Sequence, residues 1–560
     1  MSPSTSASLA PQLSASGRRD RVEIALLMEE DLALDPLLSS RERAEMLGVP
    51  RSTMLFWEQR HQRLQVESPL ADVFESPQGL LWIHRVLLAA RLTFIVEQHQ
   101  GERGERLFLQ RAGLDPFIAC SKGSVGEGID DTLHAIVDFG ERQQTRVREA
   151  FASAEPGQER VQALVAPDEL FRAGAILMAV EPGSGFWLVG QRAESRDAEQ
   201  WATVLNHVRQ TLPVRFESGV GDEGGGLKKA LEGHLNVGHF SDLFHGQYGV
   251  TCACSPALSR QVRQAEAALD KSEAAEDSCT AADGVGREQA AKATEEARTG
   301  LQQALRRQER MREAVRGLGE VLHPFDLQTG EAKTAEQVER QMGEHLSQAK
   351  DVASEARLGD KALIAIRKTE KLLPSMALQV MCWHEDCANW VGARGLPRDA
   401  QAWVLTVLLP ILYLSVVAGR ASTKDKRAQL RERSEAWLAA ALAASSAWKQ
   451  LCRSEQVMVL LGLQRKVALF QRTSSATEGL NGQVSRHFVV AHQLSGVRLE
   501  ALRVLHNYVQ RRPDGTTAAE RLFKLKPEDL FEYLLDQLPL PPRPARPRSH
   551  SPPPNPLLLD

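Results

Sequence analysis

The chain has 560 residues and a formal net charge of −4 at pH 7, with 42% hydrophobic and 25% charged residues. This balance excludes a wholly disordered chain or a collagen-like fibre, and the length predicts about three to five domains. Seven cysteines are too few for a disulfide scaffold and fit a reduced, cytoplasmic compartment. A slightly acidic chain carries no bulk signal for nucleic acid, so any such contact must come from local patches.

Residues 1–25 are Ser-rich, lack the apolar core of a secretory signal and are expected to be a disordered tail. Residues 26–66 hold a predicted helix-turn-helix. Ser40 caps a first helix, Arg41–Leu47. Gly48, Val49 and Pro50 make the turn, and a second helix runs on from Ser52 through Phe56 and Trp57. Such a pair can set its second helix in the DNA major groove, with Arg51, Ser52, Thr53, Gln59 and Arg60 as the reading residues. The structural alternative is a plain helical hairpin. Residues 67–155 read as further helix without a chemical motif.

Residues 160–245 change character. VQALVA is a strand ending at Asp168. Two apolar runs flank the turn Pro182–Gly185, a hairpin signal. A helix, DAEQWATVLNHV, precedes a strand, PVRFESGVG, that ends at Asp222. A second helix, LKKALEGH, follows, and a strand-like piece, NVGHFSDLFH, closes the run. The order β–β–β–α–β–α–β is that of an RNase H-like fold, which other α/β proteins share.

Residues 246–470 are predicted to be all helix, with an antiparallel hairpin over 256–321 broken by the loop DSCTAADGVG. Residues 402–419, AWVLTVLLPILYLSVVAG, carry no charge and reach the lower limit for a membrane span. A buried core helix with Pro410 at its kink is the expected reading, and no membrane partner is expected. Residues 420–472 hold eleven Lys/Arg against four acids, a plausible phosphate-contacting surface or a solvated helix face. Residues 471–540 are expected to close the α/β core and continue into a C-terminal region. Nine of the 27 prolines follow Leu538, which marks 541–560 as an extended tail.

Three acids stand out: Asp168, Asp222 and Glu478. Phosphodiester cleavage by a two-metal mechanism uses carboxylates to hold two Mg2+ ions about 4 Å apart, one activating the attacking oxygen and one stabilising the leaving oxygen. Each acid has a plainer reading. Asp168 could simply end a strand, with Glu169 equally placed as a ligand. Asp222 lies in a turn that favours Asp. Glu478 follows Ser475 at capping-box spacing. CWHEDC, with Cys382, His384, Glu385 and Cys387, lacks the C-x2-C spacing of a structural zinc site, although Cys252 and Cys254 could supply a second pair. Trp383, Trp390 and Trp403 could stack on an unpaired base, with core packing as the alternative.

The segments PDELF, AILMAVEPGSGFWLVGQRAESRDAEQW, GDEGGGL, SDLFH and RTSSATEGLNG, with LEALRVLHNYVQRRPDGTTAAERLF and DLFEYLLDQLPLPPRP, together resemble a bacterial DDE-type transposase family over residues 40–542. The C-terminal part is similar to a domain of unknown function within such transposases. The resemblance implies an α+β, mostly helical multidomain protein. Its RNase H-like α/β core would be interrupted by a large all-α insertion and preceded by a helix-turn-helix. It implies Asp168, Asp222 and Glu478 as catalytic metal ligands for Mg2+ or Mn2+. It also implies Asp242 and His245 as a D-x-x-H pair at the site. Double-stranded DNA (transposon ends and target) would be the partner and strand transfer the activity. A homodimer or higher oligomer on DNA and a nucleoid-associated place in the bacterial cytoplasm follow from the same likeness. Leu480 and the run Gly224–Gly226 depart from the family's pattern. The alternative is therefore a catalytically inactive, transposase-derived DNA-binding or scaffold protein.

Overall fold

The stretch with strand periodicity forms a single five-stranded sheet among the described residues of the computed structural model. The structure describes residues 20–544 except 69, 99, 154–159, 172–173, 280–283, 422 and 492–493. The Ser-rich start and most of the Pro-rich end expected as tails lie outside the described residues. The protein is mostly helical and divides into two units, one of residues 1–152 with 483–560 and one of residues 153–482.

In the first unit, the helix Arg21–Ala33 begins inside the stretch expected to be tail. The Asp20 carboxylate caps it, accepting the Glu23 N–H at 2.7 Å. The helices Ser40–Met46 and Arg51–Glu67 pack around Ala44, Val49 and Met54, with Gly48 in the left-handed region (φ 62°) between them. Ser39, not Ser40, caps the first of the pair, in a reciprocal box with Glu42. The long helix Lys122–Ala152 meets the helix Gly496–Tyr508 so closely that a Cβ on Gly140 would lie 2.4 Å from Val504. Arg142 donates to both Glu528 oxygens, at 2.7 and 3.0 Å, beside that crossing.

In the second unit, β1 (Val161–Phe171), β2 (Ala175–Glu181), β3 (Phe186–Ala193), β4 (Val214–Gly221) and β5 (Gly238–Ser241) lie in the order β3-β2-β1-β4-β5. The first three form an antiparallel meander, and β4 and β5 run parallel to β1. The tight β2–β3 turn is held by Glu181, whose carboxylate accepts the Gly183 and Ser184 N–H groups at 3.0 and 2.6 Å, with Gly185 at φ 76°. The helix Ala198–Thr211 buries Trp201, Leu205 and Val208 on one face, the spacing of an amphipathic helix. Two strands differ from expectation. β1 continues through Asp168 to Phe171, and β5 stops at Ser241 because Asp242 caps a helix instead.

That helix, Leu243–Ser278, pairs with Gly284–Val321. The contacts Glu273–Arg298, Ser259–Gln308 and Gln247–Val315 give the antiparallel sense. It starts before Pro256, the expected beginning. Proline deprives only the Cys252 carbonyl of a partner, and Cys252 is exposed to water there. The remaining helices close a core that includes Met342, Val380, Trp383, Leu408, Tyr413 and Leu463. The stretch Arg398–Arg420 is the one helix among the described residues long and apolar enough to cross a bilayer. Half of its apolar window is buried, with Val404, Leu408, Leu409 and Leu412 in that core. A π-turn, Val404–Leu408, immediately precedes Pro410, which sits in the first turn of the helix Leu409–Arg420, where a missing donor is tolerated.

Candidate active site

Parallel pairing aligns strand ends. Val165 of β1 faces Gly219 of β4, and Gly221 faces Ser241 of β5. Continuing that register past the ends of β4 and β5 brings Asp168, Asp222 and Asp242 to the same carboxyl edge of the sheet, the edge where open α/β sheets place their ligands. The fourth acid arrives from far along the chain. The helix Ser475–Ala491, whose first half belongs to this unit, sets Thr477 and Asn481 against β1. The Thr477 hydroxyl donates to the Ala166 carbonyl at 2.6 Å, and the Asn481 amide donates to Asp168 Oδ2 at 2.7 Å. Glu478 follows Thr477 and is about one-third exposed.

Asp168 also accepts the Glu169 N–H at 2.8 Å. Burial pushes its carboxyl up to about 7. The Glu478 and Asp222 carboxylates add to that rise, and the Glu169 N–H and His245 oppose it. Glu169, the alternative ligand, is engaged elsewhere: its carboxylate accepts from Arg196 at 2.9 Å and from the Trp201 indole at 3.4 Å. Asp222 is exposed and accepts the Gly224 N–H at 3.0 Å. The glycines after it have a structural reason at one position. A Cβ on Gly226 would meet the Arg196 carbonyl at 2.3 Å, whereas one on Gly225 would meet nothing within 4 Å.

Asp242 and His245 take different roles. Asp242 is 1% exposed, and protein donors fill its carboxylate. Phe244 N–H donates to Oδ1 at 2.7 Å; His245 Nδ1 (2.9 Å), Ser474 N–H (3.2 Å) and the Ser474 hydroxyl donate to Oδ2. Asp242 therefore caps the helix and holds His245, the N-cap role being one of the two open to it alongside that of an extra acid near the site. That hydrogen bond pushes His245 up to about 9, against the effect of its burial. The ring is then an imidazolium at neutral pH, with Nε2 3.7 Å from Glu478 Oε1.

The donors are all hard carboxylate oxygens beside a positive imidazolium. Asn481 adds a side-chain oxygen that is buried without a hydrogen-bond partner. That chemistry fits Mg2+ or Mn2+. Among the described residues, no three His, Cys, Asp or Glu side chains close on one point as a metal cage. The sequence reading missed Ser474, Thr477 and Asn481. Their i, i+3, i+7 spacing on one helical face was the available signal.

The other candidates separate. Arg51, Ser52 and Gln59 are exposed on the helix Arg51–Glu67 and Thr53 is half-buried. Arg60 turns inward, lining a cavity with Trp57 and Glu75 and lying close enough to Arg21 to lower its pKa. Cys254 is buried and its thiol pushed up to about 11; Cys387 is buried and shifted the same way. Both behave as apolar core groups. His384 bonds the Pro324 carbonyl at 3.0 Å. Trp383 is buried, its indole donating to the Lys466 carbonyl at 2.9 Å, and Trp403 lies 5.5 Å from Trp448. Within the basic stretch, Lys466 is buried against Asp386 at 2.7 Å. Arg472, half-buried, donates to main-chain carbonyls at Gly319 and Leu322, so Lys466 is removed from any solvent-facing surface and the Arg472 guanidinium is committed to the main chain.

A model of a family of unknown function (DUF6399) matches residues 404–550. The match holds Ser474, Glu478 and Asn481 and excludes Asp168 and Asp222. No curated protein matches the chain.

Proposed function

We propose that the chain is a DDE-type transposase that cleaves double-stranded DNA at transposon ends and joins them to a target. The observation that carries this reading is geometric: the helix of Glu478, hundreds of residues further along the chain, is bonded to β1 beside Asp168 through Thr477 and Asn481, and the β1–β4 register sets Asp222 at the same edge. The strand order, with an antiparallel meander beside two parallel strands, supports an RNase H-like core. The helices of 246–470 support the reading of an insertion between its second and third acids. The pair Ser40–Met46 and Arg51–Glu67 supports a helix-turn-helix.

Asp168, Asp222 and Glu478 would hold Mg2+ or Mn2+. The ion, when bound, supplies activation of a water or 3′-hydroxyl and neutralises charge on the leaving oxygen. The protein does the positioning. The like-charged carboxylates, Asp168 and Glu478 partly buried and Asp222 exposed, gather negative charge that a divalent cation would offset. His245 Nε2–H, fixed by Asp242 behind it, can donate to a non-bridging phosphate oxygen. Arg51, Ser52 and Gln59 would read the duplex, on a homodimer or higher oligomer in the bacterial cytoplasm.

The test is nicking of a plasmid carrying the DNA that flanks the gene, with Mg2+ or Mn2+ and with EDTA. Metal-dependent nicking that is lost in Asp222→Asn supports the reading. Binding of that DNA with no nicking under any metal supports the inactive scaffold instead.

A further inference from the structure

The pairing of Asn481 with Asp168 joins the helix that carries the third acid to the strand that carries the first. Asn481 is 7% exposed, and its amide Nδ2–H donates to Asp168 Oδ2 at 2.7 Å. Its own Oδ1 is buried with no hydrogen-bond partner. Leaving a buried amide oxygen unpaired costs about 1–3 kcal/mol. Thr477, one turn earlier, also ties this helix to β1 through the Ala166 carbonyl. A leucine of similar size would fill the same space without the orphaned oxygen. The amide that bears this cost is the one that holds the Asp168 carboxylate, which points to a task there.

We propose that Asn481 is a positioning residue. It fixes the rotation of the Asp168 carboxylate and its spacing from Glu478, so that both acids offer oxygens to one divalent cation. The proposal rests on the metal-dependent reading above. Without the amide, Asp168 keeps only the Glu169 N–H as a donor and can rotate away. Groups that orient a metal ligand in this way typically change metal affinity by about 10–100-fold when removed.

The test uses the full chain without DNA. Mn2+ is titrated calorimetrically into the unsubstituted protein and into Asp168→Asn, Asn481→Ala and Asn481→Leu, each also followed by thermal melting. The expected result is Mn2+ binding by the unsubstituted chain that is lost in Asp168→Asn. Binding should be about 10–100-fold weaker in both Asn481 variants, with Asn481→Leu melting at or above the unsubstituted temperature. Unchanged Mn2+ affinity in Asn481→Leu overturns the inference alone. A loss of binding that follows a collapse of the melting temperature in both variants makes Asn481 a fold residue and overturns it as well. No Mn2+ binding by the unsubstituted chain removes the metal-dependent reading, and this inference with it.

Discussion

Asn481 and Asp168 stand 313 residues apart in the chain and 2.7 Å apart in space. That contact brings the helix of Glu478 to the edge of the sheet. It also places Asp168 where burial and two neighbouring carboxylates act on it together.

The first expected consequence is a pH dependence of stability. Asp168 is held at about 7, above its ordinary 3.8, so its protonated form favours the fold. That contribution is fully present below about pH 4 and is lost as pH rises through about 7. In metal-free buffer at pH 8, Asp168→Asn should be more stable than the unsubstituted chain, by on the order of 2 kcal/mol after allowing for partial exposure. The difference should vanish by pH 4. Urea unfolding at the two pH values measures it, and an equal stability difference at both would sink the assignment.

His245 runs on the same sign at higher pH. Its folded value of about 9 lies above the ordinary 6.5, so its bond to Asp242 contributes fully below about pH 6.5 and is lost as pH rises through about 9. Nitrogen-15 NMR of labelled histidine should place the midpoint near 9 in the unsubstituted chain and lower in Asp242→Asn. His245→Ala should reduce strand cleavage and leave the fold intact. Asp242→Ala should destabilise by about 2–4 kcal/mol, because it removes a cap and orphans buried donors.

Two neighbouring glycines should behave oppositely. Gly226→Ala forces a Cβ against the Arg196 carbonyl and should cost about 1–3 kcal/mol, while Gly225→Ala, into open space, should be neutral or slightly stabilising. Thermal melts of the two variants decide it, and equal effects would contradict the close approach.

Parts of this fold were legible and others were not, for physical reasons. The β2–β3 hairpin was readable because two apolar runs flank a Pro-Gly-Ser-Gly turn. The succession of strands and helices along residues 160–245 followed from local element types, whereas the order of the strands within the sheet did not. β5 was read too long because Phe240 and Phe244 look like one strand, while the Asp242 carboxylate begins a helix between them. Asp168, Asp222 and Glu478 stood out by motif. Asn481 did not: its spacing from Ser474 and Thr477 marks a helical face, but its partner lies 313 residues away. Arg51 and Arg60 looked equivalent in sequence. Nine residues apart on one helix, they take opposite faces, but which face turns inward depends on packing against Trp57 and Glu75.

That difference gives a DNA-binding test on the full chain. Arg51→Ala should weaken binding to duplex DNA and reduce its salt dependence by about one counterion. Arg60→Ala should instead lower the melting temperature. A loss of DNA affinity in Arg60→Ala without loss of stability would contradict the inward placement.

The most direct measurement of the central claim, that Asp168, Asp222 and Glu478 form one cation site, is anomalous diffraction at the manganese edge from crystals soaked in Mn2+. An anomalous peak bounded by these three carboxylates is expected in the unsubstituted protein and is expected to be absent in Glu478→Gln. A peak held without Glu478, or Mn2+ density only elsewhere on the molecule, would contradict it.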